Sequence, residues 1–393
     1  MSNWLEEAGS LEDQILDHAR RAPDGEVIWQ HPAKPGRLGW NLYDGVTGVA
    51  LFLAAMERVE PREGRRECVL SALASLRRRL REEAHDPRHP LGAFAGLGGY
   101  IYSFALIGCW LGEPELTAEA ARIATLITPD RIAADDALDV MSGCAGAALA
   151  LLALDGMLPG LVDRAIACGE HLLRRRVSMD SEPRAWAAKG LPPRCGFAHG
   201  AAGIAFCLAR LFEHTGETKF RDAAEEGVAF EQRHYDPEHG NWPLVTVPSG
   251  ASFMAGWCTG APGIALGRVG MFASVQSFEI CQGARSALRT TMTCREAACD
   301  FLCCGEMGKA EILLQAHEVL READLLEGAT KIASRIISRS RNQGGRYRWF
   351  GPKDSRFVPT FFRGAAGVGY SLLRLAKPTL LPCVLSLDWR EPQ

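Results

Sequence analysis

The chain has 393 residues, of which 47% are hydrophobic and 23% are charged, as is ordinary for a globular protein. A formal net charge of -3 gives no strong attraction to nucleic acid or to acidic membranes. No stretch reaches the roughly 18 uninterrupted apolar residues of a membrane span, and the polar, acidic residues 1–21 do not resemble a signal peptide. We therefore expect a cytoplasmic protein with no nucleic-acid partner and no integral membrane segment.

A short repeat organises the chain. It consists of Gly-x-x-Gly followed by small and aliphatic residues, and its first glycines recur at intervals of 45 to 60 residues. These glycines are Gly45, Gly96, Gly143, Gly200, Gly260, Gly305 and Gly364. Each opens a run of 10 or more residues rich in Ala and Leu, which predicts a helix. Most runs are apolar on all sides, which predicts burial.

Amphipathic, charged segments lie between the apolar runs, at 68–84, 161–176, 219–234 and 325–340. They predict outer helices with one solvent-exposed face. One buried and one half-exposed helix per repeat predicts an all-α fold, an α/α toroid of seven inner and seven outer helices in a single domain over residues 1–393. The polar stretches at 178–193, 236–252 and 342–359 are then loops between repeats, and all seven glycine turns meet at one mouth.

Three of the 13 cysteines lie directly before repeat glycines. Cys258 stands two residues before Gly260, and Cys303 and Cys304 immediately precede Gly305. Three protein ligands with a fourth position open are typical of a catalytic zinc site, and all-sulfur ligation favours a soft or borderline ion such as zinc. The alternative is three buried structural thiols, because free cysteine is among the most buried residue types.

Two polar residues occupy comparable turns in the preceding repeats. His199 directly precedes Gly200, where it is placed to transfer a proton near neutral pH. Asp139 lies four residues before Gly143, where it either orients the histidine or caps a helix. A structural histidine is the alternative for His199.

Seven segments resemble, in order and spacing, those of the LanC family of lanthionine cyclases, and more closely the C-terminal cyclase domain of LanM-type synthetases. The segments are NLYDGVTGVALFLAA, GAFAGLGG, LDVMSGCAGA, CGFAHGAAGIA, FMAGWCTGAPGIALGR, FLCCGEMGKAE and FFRGAAGVGYSLLRLA. The resemblance covers nearly the whole chain and implies a sevenfold toroid with one zinc ion at its mouth. It implies Cys258, Cys303 and Cys304 as zinc ligands and places His199 and Asp139 at the catalytic positions of the family.

The resemblance also implies a reaction, the addition of a peptide cysteine thiolate to dehydroalanine or dehydrobutyrine to form lanthionine or methyllanthionine. The expected partner is a ribosomally made precursor peptide with dehydrated Ser or Thr and free Cys. We expect a separate dehydratase domain or protein to prepare it, because the dehydratase region of LanM-type synthetases is absent from these 393 residues. The residues expected to contact substrate are Trp242, Trp257, Thr259 and Glu306.

Several positions depart from the family pattern. Cys303-Cys304-Gly305 stands where most members have Cys-His-Gly, an all-cysteine variant that also occurs in LanM-type enzymes. The remaining departures are Met254 in place of an arginine, Thr259 in place of tyrosine or histidine, and Leu244 and Thr246 in place of an acidic residue and an arginine after Asn241-Trp242-Pro243. They predict altered substrate handling and leave the metal ligands intact.

Three other functions are compatible with parts of this pattern. The first is the addition of glutathione or another small thiol to a dehydroamino acid, by a LanC-like relative. The second is a non-catalytic, zinc-containing toroid that binds peptides, which would need a fourth protein ligand. The third is a toroid glycosidase using Asp139 and Glu306 as its carboxylate pair, which would leave the three cysteines unexplained.

Overall fold

The structure is a computed structural model that describes residues 4–33, 35–82, 89–158, 160–178, 183–244, 252–275, 277–351 and 356–389. Seven inner helices form the centre: α2 (Val46–Val59), α4 (Leu97–Leu111), α7 (Cys144–Ala153), α9 (Ala201–Thr215), α11 (Ala261–Gly270), α13 (Glu306–Leu320) and α15 (Ala365–Ala376). Seven outer helices cover them: α1 (Trp4–Asp17), α3 (Arg65–Glu82), α5 (Pro114–Ala124), α8 (Val162–Arg174), α10 (Thr218–Arg233), α12 (Phe278–Thr293) and α14 (Ala323–Asn342).

The remaining elements are small. A single-turn helix, α6 (Pro129–Ala133), precedes the third inner helix. Two antiparallel hairpins pair β1 (Ala19–Arg21) with β2 (Val27–Trp29) and β3 (Arg176–Val177) with β4 (Ala185–Trp186). No helix in the described parts of the chain combines the length and the apolar character needed to cross a membrane.

The inner helices form a closed ring, which confirms the predicted α/α toroid. Each packs against the next in chain order, and α15 packs back against α2. The order of the outer helices differs from the prediction in one respect. No outer helix follows α15 among the described residues, and α1 covers it instead. The seventh inner–outer pair therefore joins the two ends of the described chain.

Burial explains the two kinds of helix. In α7 every residue from Cys144 to Leu152 is buried, because neighbouring inner helices and α8 surround it. Helix α14 instead buries one stripe that includes Leu325, Ala329, Ile332 and Ile336 at spacings of three and four residues. Its other face carries charged side chains to solvent.

Seven backbone hydrogen bonds join the repeats in a closed ring at the mouth. In each repeat, the amide of the residue two before the first glycine donates to the carbonyl of the equivalent residue in the next repeat. The seven residues, here called the hydrogen-bond ring, are Tyr43, Phe94, Met141, Ala198, Cys258, Cys303 and Phe362, with Phe362 donating back to Tyr43. The N···O distances run from 2.9 to 3.4 Å, and all seven bonds have the same direction around the mouth.

The second glycine of each repeat lets its helix pass close to the turn before it. A side chain there would overlap the carbonyl oxygen of the residue six positions earlier in all seven repeats. The glycines are Gly48, Gly99, Gly146, Gly203, Gly263, Gly308 and Gly367. This close backbone approach is the physical reason for the repeat, and it fixes each turn against its own helix.

The C-terminal segment fills the centre of the toroid below the mouth. The indole of Trp257 donates to the carbonyl of Leu385 at 3.2 Å, and the hydroxyl of Tyr102 donates to the carbonyl of Asp388 at 2.6 Å. The Trp257 ring also lies 4.7 Å from the Phe362 ring and 5.0 Å from the Phe94 ring, centroid to centroid. An aromatic layer and this segment therefore separate the mouth from the opposite end.

Two glycines test the close-approach argument. Gly203→Ala places a methyl group against the Phe197 carbonyl and Val140, and we expect it to lower the free energy of unfolding by about 1–3 kcal/mol. Gly9→Ala lies in α1 with no atom near the new methyl group, and we expect it to raise stability by about 0.5–1 kcal/mol. Denaturant unfolding followed by circular dichroism measures both, and equal effects would contradict the argument.

Candidate functional site at the mouth of the toroid

The residue just before each first glycine faces the mouth. These seven pre-glycine residues are Asp44, Ala95, Ser142, His199, Thr259, Cys304 and Arg363. Six are half-buried or exposed and Thr259 is buried, whereas the residues two positions further back are all buried. Because the N-termini of all seven inner helices meet here, their dipoles favour negative charge at the mouth.

The hydrogen-bond ring brings together two of the three predicted zinc ligands. The amide of Cys258 donates to the carbonyl of Cys303 at 3.4 Å, and Cys304 follows in the chain. The three thiols hydrogen-bond to one another. Hydrogen bonds from Cys303 and Cys304 lower the pKa of Cys258 well below that of an ordinary thiol, and the same hydrogen bond with Cys258 raises the pKa of Cys303. Within the cluster, Cys258 is therefore the thiol that deprotonates most easily.

Two further groups reach this cluster. The hydroxyl of Tyr43 hydrogen-bonds with Cys303, and burial together with this contact raises the pKa of Tyr43 above its ordinary value. The charge of Arg363 acts on Tyr43 and on Cys304. Sequence reasoning missed both residues. The signal that could have found them is their position in the repeat. Tyr43 lies two residues before the first glycine of its repeat, and Arg363 lies directly before the first glycine of its own.

His199 and Asp139 form a pair beside the thiols. The Nδ1 atom of His199 lies 2.7 Å from the Oδ2 atom of Asp139, and the other Asp139 oxygen accepts from the Ser142 amide at 2.7 Å. Asp139 therefore both orients the histidine and satisfies a turn amide. With Nδ1 donating to the carboxylate, Nε2 carries the lone pair and faces away from Asp139. The His199 side chain is 44% exposed, whereas that of Asp139 is 11% exposed.

A buried carboxylate on an outer helix supports the His199 turn. Glu231 accepts from the amides of Gly196 at 2.9 Å and Ala202 at 3.1 Å, and it lies 3.7 Å from Arg268. Gly196 has φ of 113°, and a side chain there would lie 2.8 Å from the Cys258 carbonyl. Glu231 thus holds the turn that links the histidine to the cysteines. It lies on the buried side of an amphipathic helix, where its position gives no functional signal.

A second set of potential ligands lies outside the mouth. Asp135, Cys144 and His171 are buried, and their ligand atoms all lie within 4.8 Å of one another, the one such set of three among the described residues. The Asp135 carboxylate already accepts from the amides of Leu138 and Cys144, and His171 Nε2 lies 2.8 Å from the Asp135 carbonyl. A hydrogen bond with Cys168 and burial raise the pKa of Cys144.

The chemistry of the donors separates the two sets. Cysteine binds a metal as its thiolate, and the pKa of Cys144 is raised whereas that of Cys258 is lowered. Asp135 already caps α7 through the Cys144 amide, and His171 lies against the Asp135 carbonyl. The mouth offers three sulfur donors to a thiophilic cation, of which Cys258 has a lowered pKa and Cys303 and Cys304 have raised ones.

The placement of the other predicted substrate residues differs from expectation. Trp242, Trp257 and Glu306 are at most 1% exposed, and Thr259, although it faces the mouth, is only 7% exposed, so little of these side chains is open to a peptide. Trp242 donates to the Glu231 carbonyl at 2.9 Å. Glu306 is bonded to Lys309 at 2.7 Å and to Arg335.

These four residues support the site from behind, because their polar groups are satisfied within the protein. Among the positions that depart from the family pattern, the Met254 carbonyl accepts from Asn241 at 2.9 Å and the Leu244 amide donates to Ser252 at 2.8 Å. Thr246 lies outside the described residues.

A cleft of about 450 Å³ has Ser142, whose amide donates to Asp139, in its wall. It lies between the second and third repeats, and Ser142 belongs both to its wall and to the mouth. Its other lining residues include His89, Leu91, Asp130, Arg131 and Asp136. The cleft is large enough for a few residues of an extended peptide.

The fold and the site together define a class of protein. Its members are α/α toroids with a thiol cluster and a histidine–carboxylate pair at one mouth. Residues 36–386 match the family described as lanthionine synthetase C-like protein. The chain belongs to that family. No curated protein sequence matches the chain.

Solved structures share the toroid. Nisin cyclase is 15% identical, with a TM-score of 0.69 over 98% of this chain and 96% of that one. A GH76 α-mannanase of Bacteroides thetaiotaomicron is 8% identical, with a TM-score of 0.53 over 95% and 96%. The GH76A α-1,6-mannanase of Salegentibacter sp. is 10% identical, with a TM-score of 0.51 over 96% and 99%. At these identities the likeness shows the fold alone.

Glu231 gives a pH-dependent test of the support for the mouth. Desolvation raises its pKa from an ordinary 4.5 to about 7. The stability it contributes is therefore complete below pH 4.5 and is lost as pH rises through about 7. We expect a loss of about 3 kcal/mol in the free energy of unfolding between pH 4.5 and 8, at about 1.4 kcal/mol per unit. Glu231→Gln should remove this part of the pH dependence.

The measurement is denaturant unfolding at several pH values. Glu226→Gln on the same helix is the control. Burial acts to raise the Glu226 pKa, but hydrogen bonds from Arg184 outweigh it and lower the pKa. The control should therefore keep the loss of stability between pH 4.5 and 8, and a Glu231→Gln variant with the wild-type slope would contradict the assignment.

Proposed function

We propose that the protein is a zinc-dependent lanthipeptide cyclase that forms lanthionine and methyllanthionine rings within a dehydrated precursor peptide. The observation that carries the proposal is the meeting of Cys258, Cys303 and Cys304 with the His199–Asp139 pair at one mouth. Membership of the lanthionine synthetase C-like family and the fold shared with nisin cyclase support it. We further expect the chain to resemble LanM-type cyclase domains most closely.

Cys258, Cys303 and Cys304 would hold the zinc ion. Hydrogen bonds of Cys258 with Cys303 and Cys304 support this assignment, and the lowered pKa of Cys258 that they cause suits a thiolate ligand. Bound zinc would lower the pKa of the substrate thiol. Without it, a thiol with a pKa near 8.5 is only about 3% thiolate at pH 7. The fourth position is left for that substrate sulfur.

The residues of the chain then act on the acceptor. The substrate thiolate attacks the β-carbon of the dehydroamino acid, and the electron pair of the double bond moves into the adjacent carbonyl as an enolate. Nε2 of His199 is placed to take the proton that the substrate thiol releases and to give it to the α-carbon, and Asp139 stabilises the imidazolium that carries it. The mouth holds both ends of a peptide loop, so proximity selects which ring closes.

The peptide would reach the mouth along the cleft beside Ser142. Ser142 lies in the wall of that cleft and its amide donates to Asp139, so a bound segment would approach the His199–Asp139 pair from the third repeat. A dehydratase domain or protein must supply dehydroalanine or dehydrobutyrine, because no group described at the mouth removes water from serine or threonine. We propose that the protein acts in the cytoplasm, where the precursor peptide is made.

A small-thiol ligase is the second candidate, favoured by the exposed mouth, which admits a free thiol as readily as a peptide. Competition between glutathione and an internal cysteine for one dehydrated peptide separates the two functions. The glycosidase alternative is disfavoured because Asp139 is bonded to His199 and Glu306 is buried in ion pairs. A non-catalytic toroid would retain zinc and peptide binding and form no thioether.

Removal of one thiol tests the metal site. We expect purified wild-type protein to contain about one zinc per chain, and Cys304→Ala to lose both zinc and ring formation, because two remaining thiolates hold the ion weakly. Cys281→Ala, a half-buried thiol on the outer helix α12, is the control and should keep both. Elemental analysis measures the zinc. Metal-free, well-folded wild-type protein would rule out thiolate activation by zinc.

Removal of the imidazole tests the proton donor. His199→Ala should keep zinc but lose about 100-fold in the rate of ring formation or lose stereochemical control at the α-carbon, because proton transfer then falls to water. The control is His214→Ala. His214 is exposed near the C-terminal end of α9, the helix that follows His199, and this variant should behave as wild type. Mass spectrometry after thiol alkylation measures the rate, and chiral analysis of hydrolysed product measures the configuration. Normal cyclisation by His199→Ala would refute the role.

A further inference from the structure

We infer that Arg363 is a catalytic residue whose guanidinium binds the carbonyl oxygen of the dehydroamino acid and stabilises the enolate formed there. The inference rests on the proposed cyclase function. It assigns a role to the seventh repeat, which the zinc ligands and the His199–Asp139 pair leave without one.

The fold places Arg363 at the mouth. It is the pre-glycine residue of the seventh repeat, the position that Cys304 holds in the sixth and His199 in the fourth. The preceding residue, Phe362, accepts from the Cys303 amide at 2.9 Å, which fixes the Arg363 backbone next to the thiol cluster. The hydrogen-bond ring that brings Cys258 and Cys303 together therefore also places Arg363 beside them.

The charge of Arg363 is available to a ligand. The residue is exposed, and among the described residues no carboxylate lies within 4.0 Å of its guanidinium. Its described neighbours are the Phe301 ring, 5.7 Å from its Cζ atom, and Tyr43, Cys299 and Cys304, on which its charge acts. Arg374 differs, because it is fully buried against Glu311 and Glu318.

The reaction needs a cation at this place. When the sulfur–β-carbon bond forms, the π electron pair moves to the α-carbon and the carbonyl oxygen, which becomes negative. As this charge leaves the substrate sulfur for the oxygen, three ligand thiolates would still outweigh one divalent cation by one charge, so the new negative oxygen beside them would be repelled. A guanidinium facing that oxygen offsets the repulsion and donates hydrogen bonds that strengthen as the charge develops. Protonation of the α-carbon by His199 then restores the carbonyl.

Chemical rescue tests the role. We expect Arg363→Ala to keep one zinc per chain and a near wild-type KM, while kcat falls about 100-fold, the loss typical of one oxyanion donor. Methylguanidinium added at millimolar concentration should raise the kcat of Arg363→Ala at least tenfold, whereas ammonium at the same concentration should not. The kcat of Arg363→Lys should lie between those of the wild type and Arg363→Ala, because lysine keeps the positive charge but lacks the planar guanidinium.

Arg346→Gln is the matched control, since Arg346 is also an exposed arginine, in the loop after α14 and outside the ring of pre-glycine residues. It should cyclise as wild type. The assignment is overturned if Arg363→Ala has an unchanged kcat, loses zinc, or changes KM alone. If the wild-type protein still cyclises its peptide, the proposed function stands in each of these cases. Wild-type protein that binds zinc and forms no thioether overturns the proposed function, and this assignment with it.

Discussion

Seven backbone hydrogen bonds around the mouth are the constraint on which the rest of the molecule depends. They run from each repeat to the next and close on themselves, so the position of each turn is set by both of its neighbours. Because the bonds use only backbone atoms, the side chains on the ring and beside it can vary without loss of the fold. The chemical groups accordingly occupy most of the turns around the mouth, whereas the second turn carries only the inert side chains of Phe94 and Ala95.

Electrostatics then distinguishes the mouth from the rest of a cysteine-rich protein. Helix N-termini point at the thiol cluster, and hydrogen bonds within it lower the pKa of Cys258. Deeper in the toroid, burial without such compensation raises the pKa of thiols such as Cys207 and Cys383. Neighbouring thiols at the mouth therefore lower the pKa of Cys258, whereas burial in the core raises the pKa of Cys207 and Cys383.

The repeat made the toroid predictable, because seven glycine pairs at near-regular spacing report one recurring close approach of backbone. The cysteines and His199 were predictable for a related reason, since each stands at a fixed offset from its glycine. Glu231 was not, because its contacts to Gly196 and Ala202 depend on how one outer helix is rotated. Trp242 and Trp257 were expected at the substrate because an aromatic residue in a motif suits either surface or core, and packing placed both inside.

The pairing of α1 with α15 has a consequence for how the protein is made. Helix α1 precedes the other described helices in the chain, yet the surface it covers belongs to the last inner helix. The seventh pair, and with it the bond from Phe362 to Tyr43, can form only after all seven inner helices have been translated. Until then α1 and the open edge of α2 expose apolar surface, so a nascent chain is prone to association at that seam. Contacts of such long sequence separation also predict slow final closure.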